Sequence, residues 1–235
     1  MIKLILEVKV MEKETVNIIE LGKSIGMEEK EQTLPNGKVV KSLVWHGEDL
    51  IKAVEAVRHL SGNGNPVVFD GPAPAWVVTA LSHAVHPCKT SVYVPQIGEE
   101  VDIVNAPHGD PNKEAEVVFK VKSSGGAVLI EYELTNLVYD EANLSKLVVP
   151  EIPNGIPVYI SGRGPNYLTT SIAEAYAHTN SSISLFQPGV GYTCAITHSR
   201  KKELGTLDQE PIEQGEIVEN IVNPENKNER EAYER

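Results

Sequence analysis

Two stretches of this chain, "VVFDGPAPAWVVTALSHAVHP" (67–87) and "VYISGRGPNYLTTSIAEAYAHT" (158–179), align at one constant offset, pairing Gly71 with Gly162, Pro74 with Pro165 and Trp76 with Tyr167. Further on, "VYVPQIG" (92–98) pairs with "LFQPGVG" (185–191). An internal repeat of this kind restricts the fold to two like units packed on each other, most simply as an internal pseudo-dimer. Upstream segments agree in type. "LILEVKV" with "VNIIEL" and "EVVFKVK" with "VLIEYEL" read as hairpins of alternating apolar residues. "GEDLIKAVEAVRHL" (47–60) has helical apolar spacing, and "DEANLSKLVVP" reads as a shorter, weaker helix. Each half therefore predicts β-β-α-β-turn-α-β-β, an α/β unit with parallel, right-handed crossovers. The expected units are 1–106 and 113–200, divided by the turn-rich "NAPHGDPNK" (105–113), with 201–235 as an acidic extension ending in a solvated tail.

The halves differ at the turn after the central strand. The second has Ser161, Gly162, Arg163, Gly164 and Pro165; the first has Asp70, Gly71, Pro72 and Ala73. Gly162 and Gly164 permit φ > 0 or a close approach by another molecule. Pro165 suits a first helical turn. Free N–H groups at the helix start, with the Arg163 guanidinium, would cradle an anion. A plain tight strand-to-helix connection accounts for the same string equally well. The first copy lacks the arginine and the second glycine, so its turn is the poorer cradle.

Composition narrows the partner. A formal charge of −12 argues against sequence-independent binding to long nucleic acid, which depends on many Lys and Arg contacts to phosphate. A small anion held by a local cluster of N–H groups is compatible with it. With 41% hydrophobic and 23% charged residues the chain is of globular type. No window approaches the ~20 apolar residues of a membrane span. The start, "MIKLILEVKVMEKETV", reads as a strand without a signal-peptide cleavage site, so a cytoplasmic location is the expectation. Cys88 and Cys194 are too few and too separated for a disulfide framework or a CxxC metal site.

Histidines are the remaining chemistry. His178 closes the second helix, where a histidine is also a natural C-terminal cap. His86 stands at nearly the same place in the first copy, and His83, three residues earlier, reads as a solvated side chain, with a metal ligand as the alternative. His198 and Ser199, in "CAITHS", follow a strand whose end is expected beside the Arg163 turn. From Gly164 to His178 is about 21 Å of helix at 1.5 Å per residue, so the turn and the histidine of one copy cannot reach one phosphate. A large or cyclic ligand at an interface satisfies both.

"ISGRGP", "AYAHT", "LFQPGVG" and "THS", in that order and spacing, resemble the third family of CRISPR ring nucleases, which is manganese-dependent and distantly related to CARF (CRISPR-associated Rossmann-fold) domains. The match is strong over 156–199 and traceable upstream. The resemblance implies two tandem CARF-like ββαβαββ domains, the first degenerate, that bind cyclic tetra-adenylate and open it, switching off downstream effectors. It implies that Ser161 to Pro165 line the ligand and that His178 stands where the family has its functional histidine. On the chemistry of the residues, His178 or His198 is expected to move the proton, and Asp70, Gly71 and Ser199 are the further expected ligand contacts. Family members dimerise, and two dimers sandwich the ring. A fused chain would replace one dimer and itself form a homodimer, both Arg163 turns and both His178 side chains facing one shared cleft. One departure matters: the family's acidic residue of an aromatic-Asp-Pro motif is Gln187 here and Val94 in the first copy, neither a carboxylate ligand for Mn²⁺. Asp70 is the acidic residue of the matched core left to compensate, and the metal ligands stay unassigned. Two rival readings remain: a non-catalytic sensor or sponge for the messenger, and a metal-dependent RNA 3′-exonuclease, against which the acidic charge weighs.

Overall fold

The computed structural model describes residues 12–33, 37, 39–111, 113–209 and 212. It is a mixed α/β protein with three sheets among those residues. The first sheet holds β1 (Glu14–Asn17), β4 (Val67–Asp70), β5 (Thr90–Val94) and β6 (Glu99–Asp102), in that order. The second runs β12 (Leu207–Asp208), β11 (Gly191–Thr197), β10 (Ser182–Gln187), β9 (Pro157–Gly162), β8 (Ala127–Leu134) and β7 (Val117–Ser124). In the first, β1, β4 and β5 are parallel and β6 is antiparallel. In the second, β8, β9 and β10 are parallel and β11 is antiparallel. The series β1-β4-β5-β6 and β8-β9-β10-β11 thus share neighbours and senses.

Four α-helices among the described residues complete the fold: α1 (Ile18–Ser24), α2 (Gly47–Val57), α3 (Ala75–Ala84) and α4 (Asn166–Ala177). α2 is amphipathic, burying Leu50, Ala53, Val54 and Val57. Its start is fixed by the Asp49 carboxylate, which accepts from the His46 backbone N–H at 3.1 Å. α3 and α4 are instead buried on almost every side: seven of ten residues in one and ten of twelve in the other. Such helices belong between layers. Each enters through a proline of nearly the same geometry, Pro74 at φ −60°, ψ 149° and Pro165 at φ −65°, ψ 153°. Both prolines therefore stand just outside their helices as N-caps rather than inside the first turn.

Several expectations need correction. "VNIIEL" is not a full strand, because Asn17 Oδ1 accepts from the Glu20 N–H at 3.0 Å and starts α1. Its expected partner, "LILEVKV" (4–10), lies outside the described residues. The segment after α1 forms a separate hairpin of β2 (Glu29–Thr33) and β3 (Val39–Leu43), which the repeat does not contain. "DEANLSKLVVP" forms a short 3-10 turn, Glu141–Lys146, capped by Asp140. Beyond residue 200, Lys202 donates to Asp208, to Ser184 at 2.9 Å and to Tyr159 at 3.2 Å, and β12 joins β11. The second sheet accordingly extends past the point where the acidic extension was expected. The end of the tail, 223–235, is outside the described residues.

One apolar core runs through both halves and includes Trp76, Leu81 and Phe69 from the first and Tyr167, Leu168 and Ile172 from the second. At its centre α3 and α4 lie side by side in the same direction. Asn166 Nδ2 donates to the Ala73 carbonyl at 2.9 Å near their starts, the Thr79 and Thr170 hydroxyls meet at 3.0 Å midway, and the His86 and His178 rings are 4.8 Å apart at their ends. All the N-terminal turns thus share one end of the molecule and the helix-ending histidines the other.

Candidate functional site

At the first end, Gly162 and Gly164 have a reason the sequence did not disclose. Neither takes a positive φ. A Cβ on Gly162 would lie 2.4 Å from the Tyr132 ring, and one on Gly164 3.1 Å from its hydroxyl. The close approach is to the chain's own Tyr132, which is 2% exposed and hydrogen-bonded to Thr169 Oγ1. Gly71, in the first copy, does take φ +112°. The two glycines aligned by the repeat therefore serve different physical needs.

The Arg163 turn borders a cavity of about 1090 Å³, lined also by Ser161, Gly162, Tyr132, Lys120 and Lys122. Lys122 is committed to Glu131 at 2.7 Å. Asp70 ends β4 opposite Asn17, and the Ala73–Asn166 hydrogen bond ties the two turns together at this end. The first copy's turn is closed differently. Pro72, Ala73 and Pro74 border a smaller cavity of about 420 Å³ together with Trp45, Trp76 and Gln187. Gln187 accepts a hydrogen bond from the Trp76 indole N–H, joining the halves.

The other end gathers imidazoles. His83 has its ring centroid 5.5 Å from His178, 5.3 Å from His198 and 6.3 Å from His86. His178 and His198 are 6.3 Å apart. His83 Nδ1 lies 3.2 Å from Glu174 Oε2, with only 18% and 13% of the two side chains exposed. His83 is therefore no solvated surface histidine, because α4 covers it. Partial burial, then the neighbouring His86 and His83, push the His178 pKa below the ordinary histidine value. A cavity of about 150 Å³ adjoins the cluster, lined by His86, His178, Lys89 and Glu174 among others.

The expected residues thus divide into two groups. Ser161, Gly162, Arg163, Gly164, Pro165, Asp70 and Gly71 stand at the turn end; His178, His198 and Ser199 stand at the histidine end. The placing of His198 and Ser199 beside the turn is overturned by register. β11 runs antiparallel to β10, and Thr197 pairs with Ser182 at the start of that strand, away from Gly162. Ser199 Oγ accepts from the Lys201 N–H at 3.1 Å and shapes the local turn. Arg163 and His178 of one chain lie at opposite ends of parallel helices, so a cleft that holds both kinds of group draws them from different chains. Sequence reasoning missed Glu174 and the role of His83. Their shared offset was the available signal. Among the described residues no set of three or more His, Cys, Asp or Glu is arranged to hold a metal ion.

Residues 132–207, about a third of the chain, match the family described as CRISPR-associated protein (Cas_csx3). Among solved structures, the Acinetobacter baumannii Cap4 SAVED/CARF-domain containing receptor is similar at 8% identity and a TM-score of 0.38. That match covers 65% of this chain and 42% of the receptor chain. No helix among the described residues is long and apolar enough to cross a membrane.

Proposed function

We propose that this protein binds cyclic tetra-adenylate at its turn end and opens the ring with histidines supplied by the opposite end of a second chain. The observation that carries the reading is the parallel packing of α3 and α4, which puts an exposed Arg163 turn at one end and four imidazoles at the other. The match of residues 132–207 to a CRISPR-associated family supports a role in CRISPR signalling. The common strand order of β1-β4-β5-β6 and β8-β9-β10-β11 supports an internal pseudo-dimer of two CARF-like units. Stacked head to tail, two chains present the turn end of one to the histidine end of the other, with the ring between them.

In the ring-opening step the ribose 2′-oxygen attacks the adjacent phosphorus, a reaction accelerated mainly by holding the two in line. His178 is suited to take the 2′ proton, because its lowered pKa keeps it unprotonated near neutral pH. Arg163 and the turn amides of the facing chain stabilise the charge on the phosphorane oxygens. The residues present do not fit manganese, which favours carboxylate, carbonyl and water ligands. Gln187 is amide rather than acid and is bonded to Trp76 at the turn end, while Glu174 already faces His83. No step is routed through a metal.

Incubation with labelled cyclic tetra-adenylate, with and without Mn²⁺, tests the reading. Linear product in both arms is expected. Stoichiometric retention of intact ring would favour the sensor instead. Mixing Arg163→Ala with His178→Ala chains should restore partial turnover, since each supplies the end the other lacks; mixed assemblies that form and stay inactive would overturn the shared site.

A further inference from the structure

Around a two-fold axis, identical units bring each on-axis residue against its own copy. Thr79 and Thr170 keep that relation here, their hydroxyls 3.0 Å apart across a separation of 91 residues. One helical turn further on, the same separation of 91 joins His83 to Glu174. The position is equivalent, but the residues are not. Two identical chains would place two imidazoles or two carboxylates there. A single chain with unlike halves can place a base against an acid.

Resting on the ring-opening reading above, we propose that Glu174 and His83 are a working pair of that site: Glu174 positions His83, and His83 protonates the leaving 5′-oxygen. A carboxylate has no proton to donate, so the 3.2 Å contact requires the His83 Nδ1–H to donate to Glu174 Oε2. The tautomer and the ring orientation are thereby fixed, as a carboxylate does for the histidine of a catalytic triad. The other carboxylate oxygen, Oε1, is buried with no partner, so this carboxylate is not held in place by a wider network. His83 and His178 each have the ring within 6.3 Å of the other three imidazoles. The charged and titratable groups around the pair are His86 and Lys89 after α3, His178 ending α4 and His198 after β11.

The step balances within this set. The 2′-O–P bond forms as the P–O5′ bond breaks; the 2′ proton passes to His178, and the Nε2 proton of the His83 imidazolium passes to the departing 5′-oxygen, leaving the Nδ1–H tautomer that Glu174 holds. A 2′,3′-cyclic phosphate and a 5′-hydroxyl result, and solvent returns the proton from His178 to His83.

The test compares wild type, His83→Gln, Glu174→Ala and Glu174→Asp as full chains, reading kcat on labelled ring and affinity for a 2′-deoxy ring, which lacks the attacking oxygen. His83→Gln retains a hydrogen bond to Glu174 but cannot carry the proton, so kcat should fall about 100-fold or more with affinity unchanged. Glu174→Ala should lower kcat about tenfold with affinity again unchanged, and Glu174→Asp should recover part of the loss. Thermal melts establish that each variant is folded; if His83→Gln is not, the Glu174→Ala and Glu174→Asp pair decides by whether the aspartate restores kcat. A folded His83→Gln chain with wild-type kcat would overturn the inference and leave the ring-opening reading intact. A wild-type protein that binds the ring without opening it would overturn that reading itself, and the pair's catalytic role with it.

Discussion

The two strand-to-helix turns of this molecule share a backbone course and have diverged in everything else. Pro74 and Pro165 enter their helices at nearly the same φ and ψ. Yet Gly71 needs a left-handed φ, whereas Gly162 needs room for the Tyr132 ring. One turn borders a cavity of about 420 Å³ with Trp45 and Trp76, and the other a cavity of about 1090 Å³ with Arg163 at its rim. The comparison teaches that turns of one backbone course can be built to meet different physical needs. The same holds at the other end, where positions 83 and 174, at a separation of 91, carry an imidazole and a carboxylate.

The most damaging way to probe the comparison is His178→Ala, which should lower turnover by about 100-fold or more while leaving ring affinity nearly unchanged. A parallel loss of affinity, read by calorimetry, would mean that the two ends are not functionally separate. Gly162→Ala should come next, because its new methyl group meets the buried Tyr132 ring; overpacking of this kind costs about 1–3 kcal/mol. A denaturant melt showing no loss would mean that Tyr132 moves aside easily. Arg163→Ala should weaken ring binding about tenfold, the scale of a lost hydrogen bond to a charged group. Pro72→Ala, at the equivalent place in the first copy, should change affinity little, and equal losses would erase the asymmetry between the turns.

Gln187→Asp gives a smaller effect. The shorter side chain retracts from the Trp76 indole, so stability should fall by about 1 kcal/mol. Turnover should gain no Mn²⁺ dependence, because the position lies at the turn end. The smallest effect is in pH. The His178 pKa is depressed in the folded protein, so between the folded and unfolded values the unfolded chain holds more proton. Its contribution to stability is present above the usual histidine pKa and is lost as pH falls through the depressed value. Wild type should therefore lose slightly more melting temperature on acidification than His178→Ala.

The sequence determined a good deal by local means. The repeat of Gly, Pro and aromatic positions, the alternation in "EVVFKVK" and "VLIEYEL", and the periodicity of 47–60 are all chain-local signals, and β7, β8 and α2 follow them. The separation of Arg163 from His178 was equally legible, since the length of a helix follows from its residue count. What failed were boundaries set by a single cap, as at Asn17, and the location of His198, which depends on the sense in which β11 returns against β10. Tertiary structure alone decided that α3 and α4 lie parallel with their ends in common, and from that followed both the gathering of His83, His86, His178 and His198 and the meeting of His83 with Glu174. Periodicity reports which face of a helix is buried, but not which other helix buries it. That choice is made by packing between segments 91 residues apart, whose mutual fit no local pattern encodes.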